Sequence, residues 1–159
     1  VQGHRSLRRK ASGKDNQEAA FRQIIIPEQI RQVRDIPHLS AERKVMHELS
    51  IVTYVIKQVD EIAKENKLTN IQSVTLEFGE VSGIVPEYLS DCWQWYAKKT
   101  PLIEHTEFKY EIIPAVTWCD DCKTTYPTVK YGKTCPNCGS GHTWLQQGQE
   151  MNIKEIVAC

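Results

Sequence analysis

The chain has 159 residues, of which 40% are hydrophobic and 25% are charged, and its basic and acidic side chains balance to a net charge of zero. These values are typical of a globular protein, and the balance gives no reason to expect nucleic acid or an anionic membrane as a partner. No apolar run reaches the roughly 18 residues of a membrane span, and the basic N-terminus lacks the apolar segment of a signal peptide. We therefore expect a cytoplasmic protein.

The zero net charge conceals two parts of different composition. Residues 1–45 hold ten Lys and Arg against five Asp and Glu, whereas residues 46–159 hold ten against fifteen. All seven arginines lie in the first part. Residues 1–20 are polar, basic and without periodicity, which predicts disorder. The apolar run at 24–26 is short and is cut by Pro27, so we predict no core contribution from the first part.

From Met46 onward, apolar residues recur at three- and four-residue steps. They are Val52, Val55, Ile56, Val59, Ile62 and Ala63. This spacing predicts an amphipathic helix from Ser50 to Asn66, with Ser50 as its N-cap. The residues just before it, Met46–Leu49, are compatible with a short strand.

Three further strands and a second helix complete the predicted elements. Alternating apolar and polar residues predict strands over 71–81, 107–113 and 151–157. Helical spacing after a proline predicts a helix from Pro86 to about Lys98. Trp93 and Trp95 lie two apart on that helix and cannot both face one core. Because two helices pack naturally on one face of a small sheet, we predict an α+β fold. It comprises a small mixed three- to four-stranded sheet, two helices and an inserted zinc ribbon with four cysteine ligands.

Four of the six cysteines form two C-x-x-C pairs that are separated by twelve residues: Cys119, Cys122, Cys135 and Cys138. In a cytosolic chain this spacing favours a metal over disulfides, and two facing knuckles give the tetrahedral four-sulfur site that zinc prefers. Four thiolates leave zinc no open position, so we expect a structural Zn²⁺. Gly139 follows the second pair, where a knuckle needs a positive φ. His142 is either an alternative ligand or a neighbour of the site.

The stretch Met46-His47-Glu48 stands just before the first helix. Imidazole suits nickel, copper and zinc, and a square plane of nitrogens suits Ni(II) or Cu(II). A free amine on Met46 would chelate such an ion together with the amide nitrogen and imidazole of His47, and Glu48 would complete the plane. On these residues alone, a structural or solvated histidine remains the alternative.

Several motifs occur together: Met46-His47-Glu48 ahead of an amphipathic helix, the stretch TLEFGEVSGIVPEYL, the two C-x-x-C pairs and the closing MNIKEIVA. In this combination, residues 46–159 resemble the HypA family of nickel metallochaperones for [NiFe] hydrogenase maturation. The resemblance implies Ni²⁺ as cargo on Met46, His47 and Glu48, and structural Zn²⁺ on the four cysteines. It implies a HypB-type GTPase and the hydrogenase large subunit as partners, with urease maturation proteins as further partners of some members. It brings no catalytic residues.

The resemblance also suggests a division of the chain. Residues 46–113 and 147–159 would form a nickel-binding α+β domain, residues 114–146 a zinc-ribbon domain, and residues 1–45 a basic extension. In the family the methionine is the first residue, whereas Val45 precedes Met46 here and replaces its amine with an amide nitrogen.

Two observations favour a translation start at Met46. The composition changes there, and purine-only codons can encode Glu42–Lys44, ending where a bacterial ribosome-binding site would lie. The alternative is a genuine basic, flexible extension that docks on an acidic partner.

Two other functions compete with nickel transport. The first is a zinc-ribbon module for protein or nucleic acid, although residues 114–146 carry only three lysines against two aspartates. Because zinc with four thiolates adds two negative charges, this surface has little reason to bind phosphates. The second is a thiol oxidoreductase, which needs reactive sulfurs that zinc would hold.

Overall fold

The computed structural model describes residues 21–26 and 44–159, and the side chains of all of these except residues 44–47. The predicted disorder of residues 1–20 therefore lies outside the described residues. Within the described ranges, no helix is both long and apolar enough to cross a membrane.

A four-stranded mixed sheet organises the larger part of the molecule. Its strands are β1 (Arg22–Ile24), β2 (Ile71–Gly79), β3 (Glu107–Ile113) and β7 (Met151–Ala158). They lie in the order β1-β7-β2-β3. Strands β2 and β3 are parallel, and β7 is antiparallel to both β1 and β2. The prediction of an α+β fold with a small mixed sheet is confirmed.

Two helices, α1 (Lys44–Asn66) and α2 (Pro86–Ala97), share one hydrophobic core with this sheet. The core side chains of the first helix follow its three- and four-residue spacing, and those of β2 alternate along the strand. Trp93 is 2% exposed and stacks on Phe108 at 4.9 Å between ring centroids, whereas Trp95 is 53% exposed. The prediction that only one of the two tryptophans faces the core is therefore correct.

The start of α1 differs from the prediction. The helix begins at Lys44, so Ser50 is not its N-cap and Met46–Leu49 is not a strand. Glu48 explains the error, because it lies one helical turn before Ile51 and Val52 and is completely buried, as they are. A charged residue in the apolar stripe made the helical pattern seem to begin later.

The predicted lack of a core contribution before residue 46 is wrong for Ile24 and Ile26. Both are buried, while Ile25 between them is 93% exposed. Strand β1 pairs with β7 and sets Ile24 opposite Ile156. Its partner lies at the far end of the chain, so no local pattern of the sequence indicates the pairing.

The cysteine segment forms a separate small sheet between β3 and β7. Its elements are β4 (Val116–Cys119), β5 (Thr125–Pro127), the short helix α3 (Thr128–Tyr131) and β6 (Thr143–Gln147). The strand order is β5-β4-β6, and both pairings are antiparallel. This sheet is the scaffold of the predicted ribbon.

Hydrogen bonds fix the two ends of the ribbon to the residues that follow β2. The Val81 N–H donates to the carbonyl of Gly148 at 2.9 Å, and the Ala115 N–H donates to the Glu80 carboxylate at 2.9 Å. A Cβ on Gly79 would lie 1.9 Å from the Gly148 carbonyl group. Glycine is therefore required at position 79 for the two backbones to approach each other.

Candidate metal centres

The four cysteines of the ribbon converge on one point. All four sulfurs lie within 4.8 Å of one another, and Cys119–Cys138 and Cys122–Cys135 are each separated by 3.6 Å between Sγ atoms. A tetrahedral zinc with bonds of about 2.3 Å places its sulfurs about 3.8 Å apart. A disulfide would require about 2.05 Å. The arrangement therefore fits a tetrahedral four-sulfur zinc site and not two disulfides.

Two turns of the same construction present the sulfurs. In the first, the carbonyl of Cys119 accepts from Lys123 N–H at 3.0 Å, and in the second the carbonyl of Cys135 accepts from Gly139 N–H at 2.9 Å. Lys123 and Gly139 both have positive φ, 55° and 74° respectively. The predicted positive φ at Gly139 is confirmed, and the first knuckle makes the same turn with a lysine.

Because a glycine has the positive φ in one knuckle and a lysine in the other, we predict that substitutions at Gly139 and Lys123 change zinc retention in opposite directions. Gly139→Ala forces a Cβ into the left-handed region, which costs about 1–2 kcal/mol, so we expect zinc to be lost to a competing chelator about tenfold more readily. Lys123→Gly removes the same strain and should slow zinc loss or leave it unchanged. Gly141→Ala is the matched control, because Gly141 has no positive φ and its Cβ would meet open space. Equal zinc loss in Gly139→Ala and Gly141→Ala would contradict the strain argument.

The thiols of the metal-free cluster differ in pKa because their surroundings differ. The Asn137 side chain, followed by the Thr124 hydroxyl, lowers the pKa of Cys122 to about 6. The backbone of Ser140 lowers the pKa of Cys138, but desolvation and the neighbouring sulfurs outweigh it and raise that pKa to about 12. A metal cation thus meets the Cys122 thiolate near neutral pH and must displace the proton of Cys138. Asn137 and Thr124 carry no separate signal in the sequence beyond their places in and after the knuckles.

His142 lies beside the cluster and not in it. Its side chain is 81% exposed, and Nδ1 is 3.3 Å from the carboxylate of Asp121. The Ser140 hydroxyl also donates to Asp121, and both contacts lower the pKa of that carboxyl group. Of the two interpretations of His142, the structure supports the neighbour and places only cysteines at the cluster within the described residues.

The predicted nickel residues lie in the first turns of α1. The side chains of Met46 and His47 are outside the described part of the chain, so their ligand roles stay predictions. Glu48 is fully buried, and its Oε1 accepts a hydrogen bond from the Val85 N–H at 3.3 Å. Its Oε2 has no hydrogen-bond partner among the described residues. The carboxylate is thus held inside the fold, with only one of its two oxygens bonded to a described residue.

Glu48 also connects the two helices. Val85 directly precedes Pro86, the first residue of α2, and the Val85 side chain cannot cap that helix. A carboxylate at a helix N-terminus is favoured by the helix dipole. Desolvation and, next, the charge of Glu48 raise the pKa of Cys92 on α2. This structural role of Glu48 was missed from the sequence, where the residue was considered only as a metal ligand.

Comparison with known proteins places these features in a family. The family described as "Hydrogenase/urease nickel incorporation, metallochaperone, hypA" matches residues 46–158. A hydrogenase maturation factor HypA of Actinobacillus succinogenes is 31% identical over 112 residues, which cover 70% of this chain and 98% of that protein. The HypA of Geobacter sulfurreducens is 32% identical over 111 residues, with 70% and 97% coverage.

Two solved structures share the fold. The solution structure of the Ni metallochaperone HypA from Helicobacter pylori has a TM-score of 0.52 at 22% identity and covers 69% of this chain and 94% of its own. A second solution structure of a HypA protein has a TM-score of 0.57 at 23% identity, with 72% and 97% coverage.

Proposed function

This chain belongs to the HypA family, and on that premise we propose that it is a nickel metallochaperone, which binds Ni(II) and delivers it for maturation of a [NiFe] hydrogenase. The family description also includes urease as a destination of nickel. The observation that carries the proposal is the extent of the match. It begins at Met46 of the Met-His-Glu stretch, includes the four-sulfur cluster and ends one residue before the C-terminus.

The nickel ligands in this proposal are supplied by Met46, His47 and Glu48. The His47 imidazole and backbone amide nitrogens provide the nitrogen donors that Ni(II) prefers in a square plane. Glu48 also fixes the start of α1, since its buried carboxylate accepts a hydrogen bond from the Val85 N–H at the start of α2. Its second carboxylate oxygen is buried and has no hydrogen-bond partner among the described residues.

Zinc has a different task in the proposal. Cys119, Cys122, Cys135 and Cys138 would hold a Zn²⁺ whose four positions are all filled by thiolates, so it would organise the ribbon without binding substrate. The chain is then a carrier and not an enzyme, in agreement with the metallochaperone description of the family. The nickel-binding domain comprises residues 46–113 and 147–159 together with β1, and residues 114–146 form the zinc ribbon.

Transfer of nickel by a carrier requires protein partners. We place a HypB-type GTPase and the hydrogenase large subunit in this role, with urease maturation proteins as a further destination, in the cytoplasm. The zinc ribbon is not assigned to nucleic acid, because Lys123 is already paired with Asp120 at 3.8 Å and Asp121 lies beside His142. A zinc-ribbon interaction module without nickel remains the competing function.

Calorimetric titration of Ni(II) into the zinc-loaded full-length chain tests the proposal. We expect saturable binding of one ion, and His47→Ala should weaken it at least about tenfold because a direct ligand contributes at least as much as its supporting contacts. His105→Ala is the matched control, since His105 is exposed and lies before β3. Unchanged nickel binding by His47→Ala would refute the site. If neither the wild-type chain nor His47→Ala bound nickel, the zinc-ribbon module would remain as the function.

Two further arms of the titration address the ligands separately. Imidazole binds metal only when neutral and ordinarily titrates near pH 6.5, so nickel affinity should fall below about that pH. A chain that begins at Met46 has a free amine there, and tighter binding by it would identify the amine as a ligand. Its thermal stability must be measured in parallel, because removal of β1 also exposes the edge of β7.

A further inference from the structure

Two connections join the zinc ribbon to the main sheet. The chain enters the ribbon through residues 114–115, after β3, and leaves it through residues 148–150, before β7. The buried side chains of the two parts form separate clusters, and no ribbon residue belongs to the larger one. Because two parts without a common core ordinarily move relative to each other, the orientation of the ribbon depends on the contacts of these connections.

Backbone hydrogen bonds hold both connections where they meet the main sheet. The Glu80 N–H donates to the carbonyl of Ile113 at 2.9 Å, at the end of β3. The Val81 N–H donates to the carbonyl of Gly148, also at 2.9 Å, on the second connection. Two consecutive residues after β2 thus hold the chain where it enters the ribbon and where it leaves it.

The backbone ladder between β2 and β3 cannot continue along the first connection. Pro114 follows Ile113 and has no N–H to donate. The next donor is the N–H of Ala115, a residue that is only 2% exposed. Because a buried N–H without an acceptor is costly, this donor needs a partner from outside the ladder.

The side chain of Glu80 supplies that partner. Its carboxylate accepts a hydrogen bond from the Ala115 N–H at 2.9 Å, while the Glu80 N–H is bonded to the carbonyl of Ile113. A hydrogen bond to a carboxylate is stronger than one between two neutral groups. One residue therefore holds the first connection on both sides of Pro114.

Ala115 is bonded to the ribbon as well as to Glu80. Its carbonyl accepts from the Thr128 N–H at 2.9 Å, at the start of α3. The second connection packs against the same residue, since a Cβ on Gly148 would lie 2.6 Å from the Cα and Cβ of Ala115. Glu80, Ala115 and Gly148 therefore form one close-packed junction, in which the ribbon has little room to turn.

We propose that Glu80 is a positioning residue, whose carboxylate fixes the zinc ribbon to the main sheet so that the two parts tumble as one rigid body. The main domain and the ribbon then present one preformed surface to a protein that contacts both. Such a protein binds without the entropic cost of ordering two loosely connected parts. The proposal does not depend on which metal the chain carries, so it holds or fails independently of the nickel titration.

NMR relaxation of the zinc-loaded full-length chain tests the proposal. In the wild type, the amides of β4 and β6 should give the same rotational correlation time as those of β2 and β7. Glu80→Ala removes the acceptor, so the correlation time of the ribbon amides should fall below that of the sheet amides, with zinc content unchanged. Glu80→Gln keeps an acceptor oxygen at the same reach and should restore the common value. Glu104→Ala is the matched control, because Glu104 is exposed and lies before β3, at the end of that strand away from the ribbon.

Amide hydrogen exchange gives a second, direct readout of the bond. The Ala115 amide should exchange about fivefold or more faster in Glu80→Ala than in the wild type, and Glu80→Gln should keep it protected. A wild-type ribbon that tumbles independently of the sheet would overturn the proposal, as would a Glu80→Ala variant that keeps the common correlation time. Loss of zinc from Glu80→Ala would overturn it as well, because Glu80 would then support the metal site and not the orientation of the ribbon.

Discussion

Replacing Cys135 with serine is expected to abolish stable zinc binding and to unfold the ribbon, while the main sheet stays folded. The reason is the composition of the ribbon's interior, in which the only buried cluster among the described residues consists of Cys119, Tyr126 and Cys135. These three side chains, two of which are predicted metal ligands, are too few to keep the ribbon folded without the metal. Structural zinc sites of this kind contribute about 10–16 kcal/mol in isolated peptides, so loss of one thiolate removes most of what holds the ribbon together.

The larger domain should survive this change because its core is separate. It is formed by α1, α2 and the four-stranded sheet and includes none of the four clustered cysteines. Zinc content by mass spectrometry and amide resonances by NMR would be measured together. We expect the signals of β4 to β6 to collapse towards random-coil values and those of β2 and β7 to stay dispersed.

Cys159→Ser is the matched control for loss of a thiol. Cys159 is the last residue, but it is not frayed as its position suggests, since its N–H donates to the Asn70 carbonyl at 3.0 Å. This contact uses the backbone, so serine should keep it and zinc should be retained. If Cys135→Ser kept stoichiometric zinc and a folded ribbon, the four-sulfur site would be refuted.

Local and repetitive patterns explain what could be predicted from the sequence. The clustering of the four cysteines follows from the short spacing within each knuckle, and the strands β2, β3 and β7 follow from alternation along each segment. The fold class needed only these elements and the two helices. All of them depend on residues that are close together in the chain.

Features that depend on distant partners could not be predicted in the same way. Strand β1 is defined by its pairing with β7, more than 100 residues away, and its three residues are too few for a pattern. Glu48 broke the apolar stripe of α1, and only the proximity of Val85 shows why a carboxylate is buried there. The positive φ of Lys123 could not be predicted from the sequence, because glycine is the residue that usually occupies this position of a knuckle.

Replacing Glu48 with alanine should lower the free energy of unfolding by about 2–4 kcal/mol, whereas glutamine should cost about 1 kcal/mol or less. Alanine leaves a cavity between the helices and deprives the Val85 N–H of its acceptor. Glutamine keeps the volume and one acceptor oxygen, and it removes the need to bury a charge whose second oxygen has no partner among the described residues. Chemical denaturation of zinc-loaded protein would measure both values, and an alanine variant as stable as wild type would show that the contact contributes nothing.

The same pair of variants separates a ligand from a support when nickel is titrated. If the carboxylate binds the ion, Glu48→Gln weakens nickel binding although the fold is retained, because an amide oxygen is a poorer donor to Ni(II) than a carboxylate. If Glu48 only fixes the first turns of α1 against α2, glutamine leaves nickel affinity close to wild type and alanine lowers it together with stability. The two outcomes differ because glutamine preserves the Val85 contact in both cases, and only the charge next to the metal changes.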